Sequence, residues 1–268
     1  MTSVDAQTFL GLNAAGDGSH WTLDVTTQLI TPGQFLFGGC GLGAAVVAME
    51  EATGRPTIWA TAQYVSYAML GSTLDIEVEI TAVGGHVTQA RAVGHQGDRQ
   101  VLTVNAALGT NDLQIGGVWE TPPEVPPPLD CPPRRLPPEV LNSIFEHVET
   151  RQAIGRTFEE IDGTPGSPAT ALWARVPGHL EPSAGMLAIF GDYLSGGVAN
   201  PIGRRVMGRS LDNTIRMVQL EQTEWVLLDM RMHALVNGYA QGTVFMWSES
   251  GTLLGTASQS LAIKLWEG

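Results

Sequence analysis

The chain repeats itself at a fixed offset, and this duplication constrains the fold more than any other feature. Phe37-Gly38-Gly39 precedes an apolar run of small residues, Cys40 to Met49, and Phe190-Gly191-Asp192 precedes a second apolar run, Tyr193 to Ala199. The offset is 153 residues at all three positions, from 37 to 190, from 38 to 191 and from 39 to 192. The repeat predicts two similar halves. The one break in it, an acid in place of glycine, marks Asp192 as the start of a single asymmetric site.

A proline-rich segment separates the two copies. Residues 121–138 contain nine prolines, which cannot supply sheet hydrogen bonds or a helix interior, so the segment is expected to be extended and semi-rigid. We therefore predict an N-terminal unit over residues 1–120, a connection over 121–155 and a C-terminal unit over 156–268. Within the connection, Glu139 to Ala153 has the pattern of an amphipathic helix. A long surface loop inside one domain is the alternative.

Each half is predicted to contain a strand, an apolar helix and then a run of antiparallel strands. One long helix wrapped by a curved antiparallel sheet is a hotdog arrangement, so the predicted fold is α+β, a double hotdog of two tandem copies. In the first half we expect strands over 21–30, 57–68, 73–82, 87–95 and 100–108 and a helix over 44–53; in the second, strands over 168–176, 210–219, 225–235, 239–248 and 252–265 and a helix over 186–199.

Composition and charge exclude several classes of protein. Hydrophobic residues make up 43% and charged residues 15% of the chain, which is typical of a globular protein. A net charge of −13 argues against nucleic acid and anionic membranes as partners. Two cysteines fit a reducing compartment, Met1 to Asp5 lacks the features of a signal peptide, and no run approaches the roughly 20 apolar residues that span a bilayer. These features predict a soluble, cytoplasmic protein.

Asp192 is the only charged residue in the stretch from Met186 to Val198. An ionised carboxylate is costly to bury without partners, so this acid must cap a helix, pair with another group or face a cavity. The structural alternative is an N-cap, a position that Asp favours.

Two further polar residues join the candidate site. Gln259 stands where the first copy has Ala106, 153 positions earlier, and a polar amide on an inner-face strand indicates a site. Period-two alternation allows a solvent-facing Gln259 equally well. Ser210 opens the next predicted strand, where a hydroxyl on its own is unremarkable.

The glycine-rich stretch at residues 38–43 resembles a nucleotide-binding loop only weakly, because the strand that follows carries no acid for a ribose. Backbone N–H groups of Gly38 and Gly39 at the helix start are candidates to polarise a ligand carbonyl. Cys40 at the same helix start has either a packing role or a lowered thiol pKa. The six histidines show no metal-ligand spacing, so we predict neither a metal nor a cofactor.

Four short motifs together resemble the acyl-CoA thioesterase II (TesB-like) family. They are Phe-Gly-Gly before the first apolar helix, Gly-Asp at the second, Ser-Leu-Asp-Asn at 210–213 and Ala-Ser-Gln at 257–259. The resemblance implies a double hotdog that hydrolyses a fatty acyl-CoA, in which Asp192, Ser210 and Gln259 position the attacking water. It also implies acyl-CoA as substrate, Gly38 and Gly39 at the substrate, and side-by-side assembly into a homo-oligomer.

The chain departs from the family pattern in places, and other functions stay open. The family's Arg-Pro-Gly is absent from residues 67–71, and its His after the Asp of the 210–213 motif is Asn213. The acyl chain, the thiol carrier and the CoA contacts are therefore undetermined. A hotdog enoyl-CoA hydratase would need a histidine where this chain has Gly197. A non-catalytic acyl-CoA-binding protein is the second alternative.

Overall fold

The computed structural model describes residues 4–16, 18–135, 137–178 and 180–266. The signal-peptide prediction falls partly on residues 1–3, which lie outside this range. The first half contains α1 (Ala6–Leu10), β1 (Leu12–Ala15), β2 (His20–Asp24), a 3-10 turn (Thr27–Leu29), α2 (Gly38–Thr53), β3 (Thr57–Tyr64), β4 (Thr73–Val83), β5 (Val87–Gln96) and β6 (Arg99–Gly109).

After two 3-10 turns (Pro128–Asp130 and Pro138–Val140) and α3 (Ile144–His147), the second half follows the same order. It contains β7 (Glu149–Ile154), β8 (Ala169–Arg175), α4 (Ala184–Gly191), a 3-10 helix (Asp192–Gly197), α5 (Ala199–Ile202), β9 (Val206–Ser210), β10 (Asp212–Met217), β11 (Val226–Val236), β12 (Tyr239–Ser248) and β13 (Leu253–Leu265).

The strands of both halves form one continuous antiparallel sheet. Its order is β1-β2-β4-β5-β6-β3-β10-β13-β12-β11-β8-β7, and β9 pairs with a further stretch of β13. The halves join where β3 pairs with β10, with Thr61 opposite Thr214. These two threonines are 153 residues apart, and their hydroxyls are hydrogen-bonded at 2.7 Å. The duplication therefore appears in the structure as a local pseudo-twofold axis through this pair.

The two apolar helices lie side by side within the sheet's wrap. α2 and α4 cross at small residues, since a Cβ at Gly43 would lie 2.9 Å from the carbonyl oxygen of Gly185. Every residue of α4 is buried, and its start is capped by Ser183, whose Oγ accepts from the Met186 N–H at 3.1 Å. α2 ends at Gly54, which adopts a left-handed conformation with φ 62°. Both helices are buried on nearly all sides, which explains their apolar, small-residue composition.

The predicted helix over 139–153 is wrong. Pro137 and Pro138 begin a single 3-10 turn, α3 has four residues, and Glu149–Ile154 is the edge strand β7, paired with β8. Residues 150 and 152 of this strand face inward although both are polar, so its period-two pattern was hidden among good helix formers.

The second apolar helix is also shorter than the predicted 186–199. It leaves the α-helical path at Gly191 and continues as a 3-10 helix from Asp192. This change of path turns Asp192 away from the helix axis and toward the other half.

The proline-rich segment packs on the outer face of the second half. The Trp173 indole donates to the carbonyl oxygen of Pro126 at 3.0 Å, and Cys131 is buried in a cluster with Trp173, Trp225 and Trp247. Cys131 and Cys40 are both free and buried. Within the part of the chain that the structure describes, no helix is long and apolar enough to cross a membrane.

Candidate active site

Asp192, Ser210 and Gln259, predicted from distant parts of the sequence, meet in one hydrogen-bonded cluster. The Ser210 hydroxyl donates to Asp192 Oδ1 at 2.9 Å, and Gln259 Nε2 donates to the same oxygen. Gln259 Nε2 also donates to Ser210 Oγ at 3.0 Å. The second carboxylate oxygen, Oδ2, accepts from the backbone N–H of Gly39 at 2.7 Å. Asp192 is thus held by three donors that belong to both halves of the chain.

The surroundings of the Asp192 carboxylate raise its pKa. Its residue is only 2% exposed, and this burial raises the pKa to about 7, while hydrogen bonds from Ser210, Gly39 and Gln259 partly oppose the rise. No salt bridge to Asp192 occurs among the described residues. A carboxyl group that titrates near neutral pH is suited to accept a proton and return it in one reaction cycle.

The sheet places Ser210 and Gln259 beside the acid. Ser210 ends β9 opposite Leu261 of β13, and Gln259 lies two residues earlier on β13. Burial alternates along this part of β13, and Gln259 shares the inner face with Ala257 and Leu261. The alternative of a solvent-facing Gln259 is therefore excluded. Gln259 Oε1 is buried and has no hydrogen-bond partner within the described part of the chain.

Glycines make room for the carboxylate at the start of α2. A Cβ at Gly39 would lie 2.8 Å from the Ile189 carbonyl oxygen and 2.9 Å from Asp192 Cβ. A Cβ at Gly38 would lie 2.8 Å from Asp192 Oδ2. Side chains at either position would displace the acid. Asp192 is therefore a cap of α2, the helix of the other copy, and the predicted alternative of an N-cap on its own α-helix does not hold, since it follows the last residue of α4.

The two glycine amides differ in what they offer a ligand. The Gly39 N–H is bonded to Asp192, whereas the Gly38 N–H has no acceptor in the described part of the chain, and Gly38 lines the cavity next to the acid. Ligand contact by Gly38 and by Gly39 stays a prediction. The geometry favours Gly38 as the amide that is open to a ligand.

The cluster borders a cavity of about 580 Å³ between the halves. Asp192, Ser210 and Gly38 line it together with the loop before α2, the end of β3, the 3-10 helix after α4 and the start of β9. Aromatic and aliphatic side chains form much of the wall, among them Phe35, Phe37, Phe145, Val101 and Leu102. A mostly apolar cavity with few convergent polar groups is the usual form of a small-molecule site.

Sequence reasoning missed several polar residues that line this site, among them Tyr64, Tyr193 and Arg134. The hydroxyls of Tyr64 and Tyr193 line the cavity, are buried, and have no hydrogen-bond partner among the described residues. Arg134, from the proline-rich segment, lines the same cavity. Tyr64 was detectable, because its counterpart 153 positions later is the apolar Met217. Arg134 lies outside the repeat and carried no such signal.

Cys40 does not have the activated thiol that its place at a helix start allowed. Burial, and secondarily the nearby Asp192 carboxylate, raise the thiol pKa well above its ordinary value, so the packing role holds. Among the described residues, no group of three or more His, Cys, Asp or Glu side chains is arranged to hold a metal ion.

The fold and the cluster together define a hydrolase of the double-hotdog type, and solved structures agree in fold. The chain superposes with a TM-score of 0.83 on a candidate thioesterase from Novosphingobium aromaticivorans, at 33% identity over 95% of this chain and 98% of the other. It also matches a hot dog fold protein of unknown function from Alicyclobacillus acidocaldarius (TM-score 0.84, 20% identity, 97% of each chain). A third match is the acyl-CoA thioesterase II TesB2 from Mycobacterium marinum (0.74, 19%, 98% of this chain and 99% of the other).

Residues 128–263 match the model of the acyl-CoA thioesterase C-terminal domain. No curated protein sequence matches the chain. The chain belongs to the acyl-CoA thioesterase family and is a thioester hydrolase with a double-hotdog fold. Both the resemblance and the fold class predicted from the sequence are confirmed. The predicted domain boundaries stay a prediction.

Proposed function

We propose that this chain hydrolyses a fatty acyl-CoA to the free acid and CoA, using a water molecule positioned by Asp192, Ser210 and Gln259. One observation carries the proposal: a buried carboxyl group with a pKa near 7 lies at the wall of a largely apolar cavity, beside a hydroxyl and an amide. Assembly into a homo-oligomer stays a prediction.

In the first step Asp192 acts as general base. Its carboxylate takes a proton from water as the water oxygen forms a bond to the thioester carbonyl carbon. Ser210 and Gln259 hold the carboxylate in place, and the free Gln259 Oε1 is available to accept a hydrogen bond from the water. Their contribution is orientation, since all three groups are fixed before the reaction begins.

The carbonyl oxygen gains negative charge in this step and needs donors. The Gly38 N–H lies at the N-terminus of α2, where the helix dipole favours negative charge. The Tyr64 hydroxyl lies nearby, 3.0 Å from the position that a Cβ on Gly38 would take. The two together are suited to stabilise the oxyanion.

In the second step the tetrahedral intermediate collapses and the carbon–sulfur bond breaks. The electron pair leaves with sulfur as thiolate, and protonated Asp192 returns its proton to it. A pKa near 7 allows both transfers at neutral pH, because the group is then neither strongly acidic nor strongly basic.

The structure disfavours the hydratase alternative. Gly197 packs against Met230 and Met232, and no histidine lies among the described residues that line the cavity. Asn200 is engaged elsewhere, accepting from Arg156 Nε at 2.9 Å and donating to the Ser167 carbonyl at 2.7 Å.

The decisive experiment measures free-thiol release from acyl-CoAs of increasing chain length with wild type and Asp192→Asn in parallel. We expect turnover by wild type and its loss in the variant. The variant is expected to fold, because Gln259 can rotate its amide and offer Oε1 to the new Asn side chain. Equal rates in both proteins would refute Asp192 as the base. Binding without turnover by wild type would indicate the non-catalytic alternative.

A further inference from the structure

Arg134 is the basic residue whose surroundings the proposed reaction does not explain. Its backbone is fixed, since its N–H donates to the Thr150 carbonyl at 2.9 Å. Its guanidinium lies against Gly196, where a Cβ would be 3.3 Å from Nη1. Both residues line the cavity that contains Asp192. The charge of Arg134 is therefore presented to whatever occupies the cavity.

Among the described residues, the Arg134 guanidinium has no hydrogen-bond or ion-pair partner. Over residues 4–16, 18–135, 137–178 and 180–266, no carboxylate forms a salt bridge with it and no acceptor forms a hydrogen bond with it. Of the three described arginines that line the cavity, Arg134, Arg135 and Arg209, only Arg134 is partly buried, and the other two are exposed. Away from the cavity, Arg151, Arg156, Arg175 and Arg231 each pair with a carboxylate.

The electrostatics of Arg134 fit a group that awaits a counter-charge. Burial lowers the pKa of its guanidinium, and Tyr193, followed by the exposed Glu159, partly opposes this shift. The group stays protonated at neutral pH, since an arginine retains its proton in proteins. A partly buried cation without a partner costs free energy, and an anionic ligand would remove that cost.

A second unpartnered group lies beside it. Tyr193 is 2% exposed, lines the same cavity, and its hydroxyl has no hydrogen-bond partner in the described part of the chain. Its ring is held edge-on by Phe37 and Phe145, with centroids 5.8 Å and 5.7 Å away. Arg134 and Tyr193 lie close enough that each shifts the pKa of the other. Tyr193 also follows Asp192 in sequence, so this pair adjoins the acid.

We propose that Arg134 and Tyr193 form an anion subsite that binds a carboxylate or phosphate group of the thioester substrate. A guanidinium binds either group through two parallel N–H donors, and a phenol adds a third donor. The anion has two possible sources, a carboxylate at the far end of the acyl group or a phosphate of CoA. The inference rests on the proposed function, because it assigns part of the same substrate.

Four thioesters separate the two sources. Hexanoyl and adipyl groups have the same chain length but differ in a terminal carboxylate, and each is prepared on CoA and on pantetheine, which lacks the CoA phosphates. The kcat/KM of wild type is compared with that of Arg134→Met. Arg91→Met is the matched control, because Arg91 is exposed on β5 and does not line the cavity.

If the acyl carboxylate binds Arg134, we expect Arg134→Met to lower kcat/KM for both adipyl thioesters by about tenfold to a hundredfold and to spare both hexanoyl thioesters. If a phosphate binds it, both CoA thioesters lose and both pantetheine thioesters are spared. An equal loss on all four substrates, no loss on any, or the same pattern in Arg91→Met would overturn the proposal. Thermal unfolding of each variant checks that the fold persists.

A titration keeps this test separate from the proposed function. Free CoA and adipate are titrated into wild type and Arg134→Met by calorimetry, which requires no turnover. We expect one of them to bind wild type and to lose about tenfold or more in affinity in the variant. Failure of wild type to hydrolyse any of the four thioesters would refute the hydrolysis proposal alone, whereas equal binding by both proteins, or none by either, would refute the subsite.

Discussion

The β3–β10 pair joins the two halves, and the two ends of this pair are related by the pseudo-twofold axis but differ in their side chains. The cavity beside Asp192 is lined by residues 64–67 and 207–211, and their counterparts across the pseudo-twofold axis, 217–220 and 54–58, line an open depression between the two halves at the other end of the ladder. There, α2 runs on to Thr53, whereas α4 ends at Gly191. The cavity beside Asp192 is therefore bordered by the 3-10 helix that follows the shorter α4, whereas the depression is bordered by the last turns of the longer α2.

The polar residues follow the same division. Thr57 stands in the depression where the cavity has Ser210, and Ala106 is the counterpart of Gln259. The acid of the depression, Glu50, accepts from the Thr57 backbone N–H at 2.7 Å and serves the start of β3. The two ends of the ladder have related backbones. Only one of them has an acid beside a serine and a glutamine, so only one has the residues of the proposed active site.

Asp192 and Gly39 show why the copies had to diverge. They stand 153 residues apart and contact each other directly. In the structure, however, Gly39 lies at the start of α2, whereas Asp192 follows the last residue of α4. Two aspartates at this contact would repel, and two glycines would provide no acid. One half gives the carboxylate and the other gives the backbone amide that holds it.

After the loss of turnover expected in Asp192→Asn, the largest effect is expected when Gln259 is replaced by the alanine of the first copy. Gln259→Ala restores the first-copy residue, removes a donor from Asp192 Oδ1, and is expected to lower kcat by about 10²-fold or more. Gln241→Ala, on the exposed face of neighbouring β12, is the control and should leave kcat unchanged. Thiol release measures both. A Gln259→Ala rate equal to that of the control would contradict the assigned role.

The pH profile tests Asp192 directly. Because its ionised form is the base and its pKa is about 7, kcat/KM should fall about tenfold per pH unit below 7 and be level above it. Glu50 also has a pKa raised by burial, but it lies in the depression, and Glu50→Gln should leave the profile unchanged. A flat profile between pH 5 and about 8 in wild type would refute the assignment.

Stability should change with pH in the opposite sense. The folded state binds the Asp192 proton more tightly than the unfolded chain, so the Asp192 contribution to stability falls as pH rises from about 4 to about 7. Asparagine does not titrate, so Asp192→Asn does not lose this stability as the pH rises. Its free energy of unfolding should therefore exceed that of wild type by a growing margin across this range. Urea unfolding at several pH values measures the difference, and a margin that does not grow would contradict the raised pKa.

A smaller effect is expected from removing the hydroxyl of Ser210. Ser210→Ala removes one hydrogen bond to a charged group and should lower kcat about tenfold. Thr57→Ala removes the hydroxyl at the counterpart, which has no hydrogen-bond partner among the described residues and lies in the depression, and should leave activity unchanged. Thiol release is measured for both variants and for wild type. Similar losses in both variants would mean that Ser210 acts through packing alone.

The smallest effect is expected from the hydrogen bond between Thr61 and Thr214, which lie at the pseudo-twofold axis. Thr61→Val leaves the Thr214 hydroxyl without its partner and should cost about 1 kcal/mol of unfolding free energy. The double variant with Thr214→Val should recover part of this loss, because no unpaired hydroxyl remains. Urea unfolding of the four proteins gives the coupling. Strictly additive losses would show that the hydroxyl pair does not contribute as a unit.

The repeat made much of this site predictable from sequence. Offset differences alone led to Asp192 and Gln259, and the same comparison applied to Tyr64 against Met217 would have added a third wall residue. The long strands β3, β4, β5, β6, β8, β11, β12 and β13 were predicted, because their apolar alternation faces a core, but the short strand β1 was not. The predicted strand over 210–219 is wrong in its bounds, since Ser210 ends β9 and Asp212 begins β10. Asn213 is buried. Its counterpart 153 residues earlier is the apolar Ala60, so the same comparison would also have predicted this burial.

Two features could not be predicted in this way. The strand β7 has polar residues on its inner face, so its pattern did not indicate a strand. Arg134 belongs to the connection, which has no counterpart in the repeat, and only the three-dimensional path of that segment brings it to the cavity. The shift of α4 from α to 3-10 geometry depends on packing against β13, where a Cβ at Gly191 would lie 2.7 Å from Ala257 Cβ.

The ladder between β3 and β10 makes the covalent link between the halves dispensable. Residues 110–127 contain no helix or strand, and a protease cut there would leave the backbone pairing of the two halves intact, from Trp59 with Arg216 to Gln63 with Asp212. Two polypeptides, one ending before this segment and one beginning after it, should associate as the subunits of a heterodimer. Each alone would lack either the acid or the amide that holds it, so thioesterase activity would report their reunion.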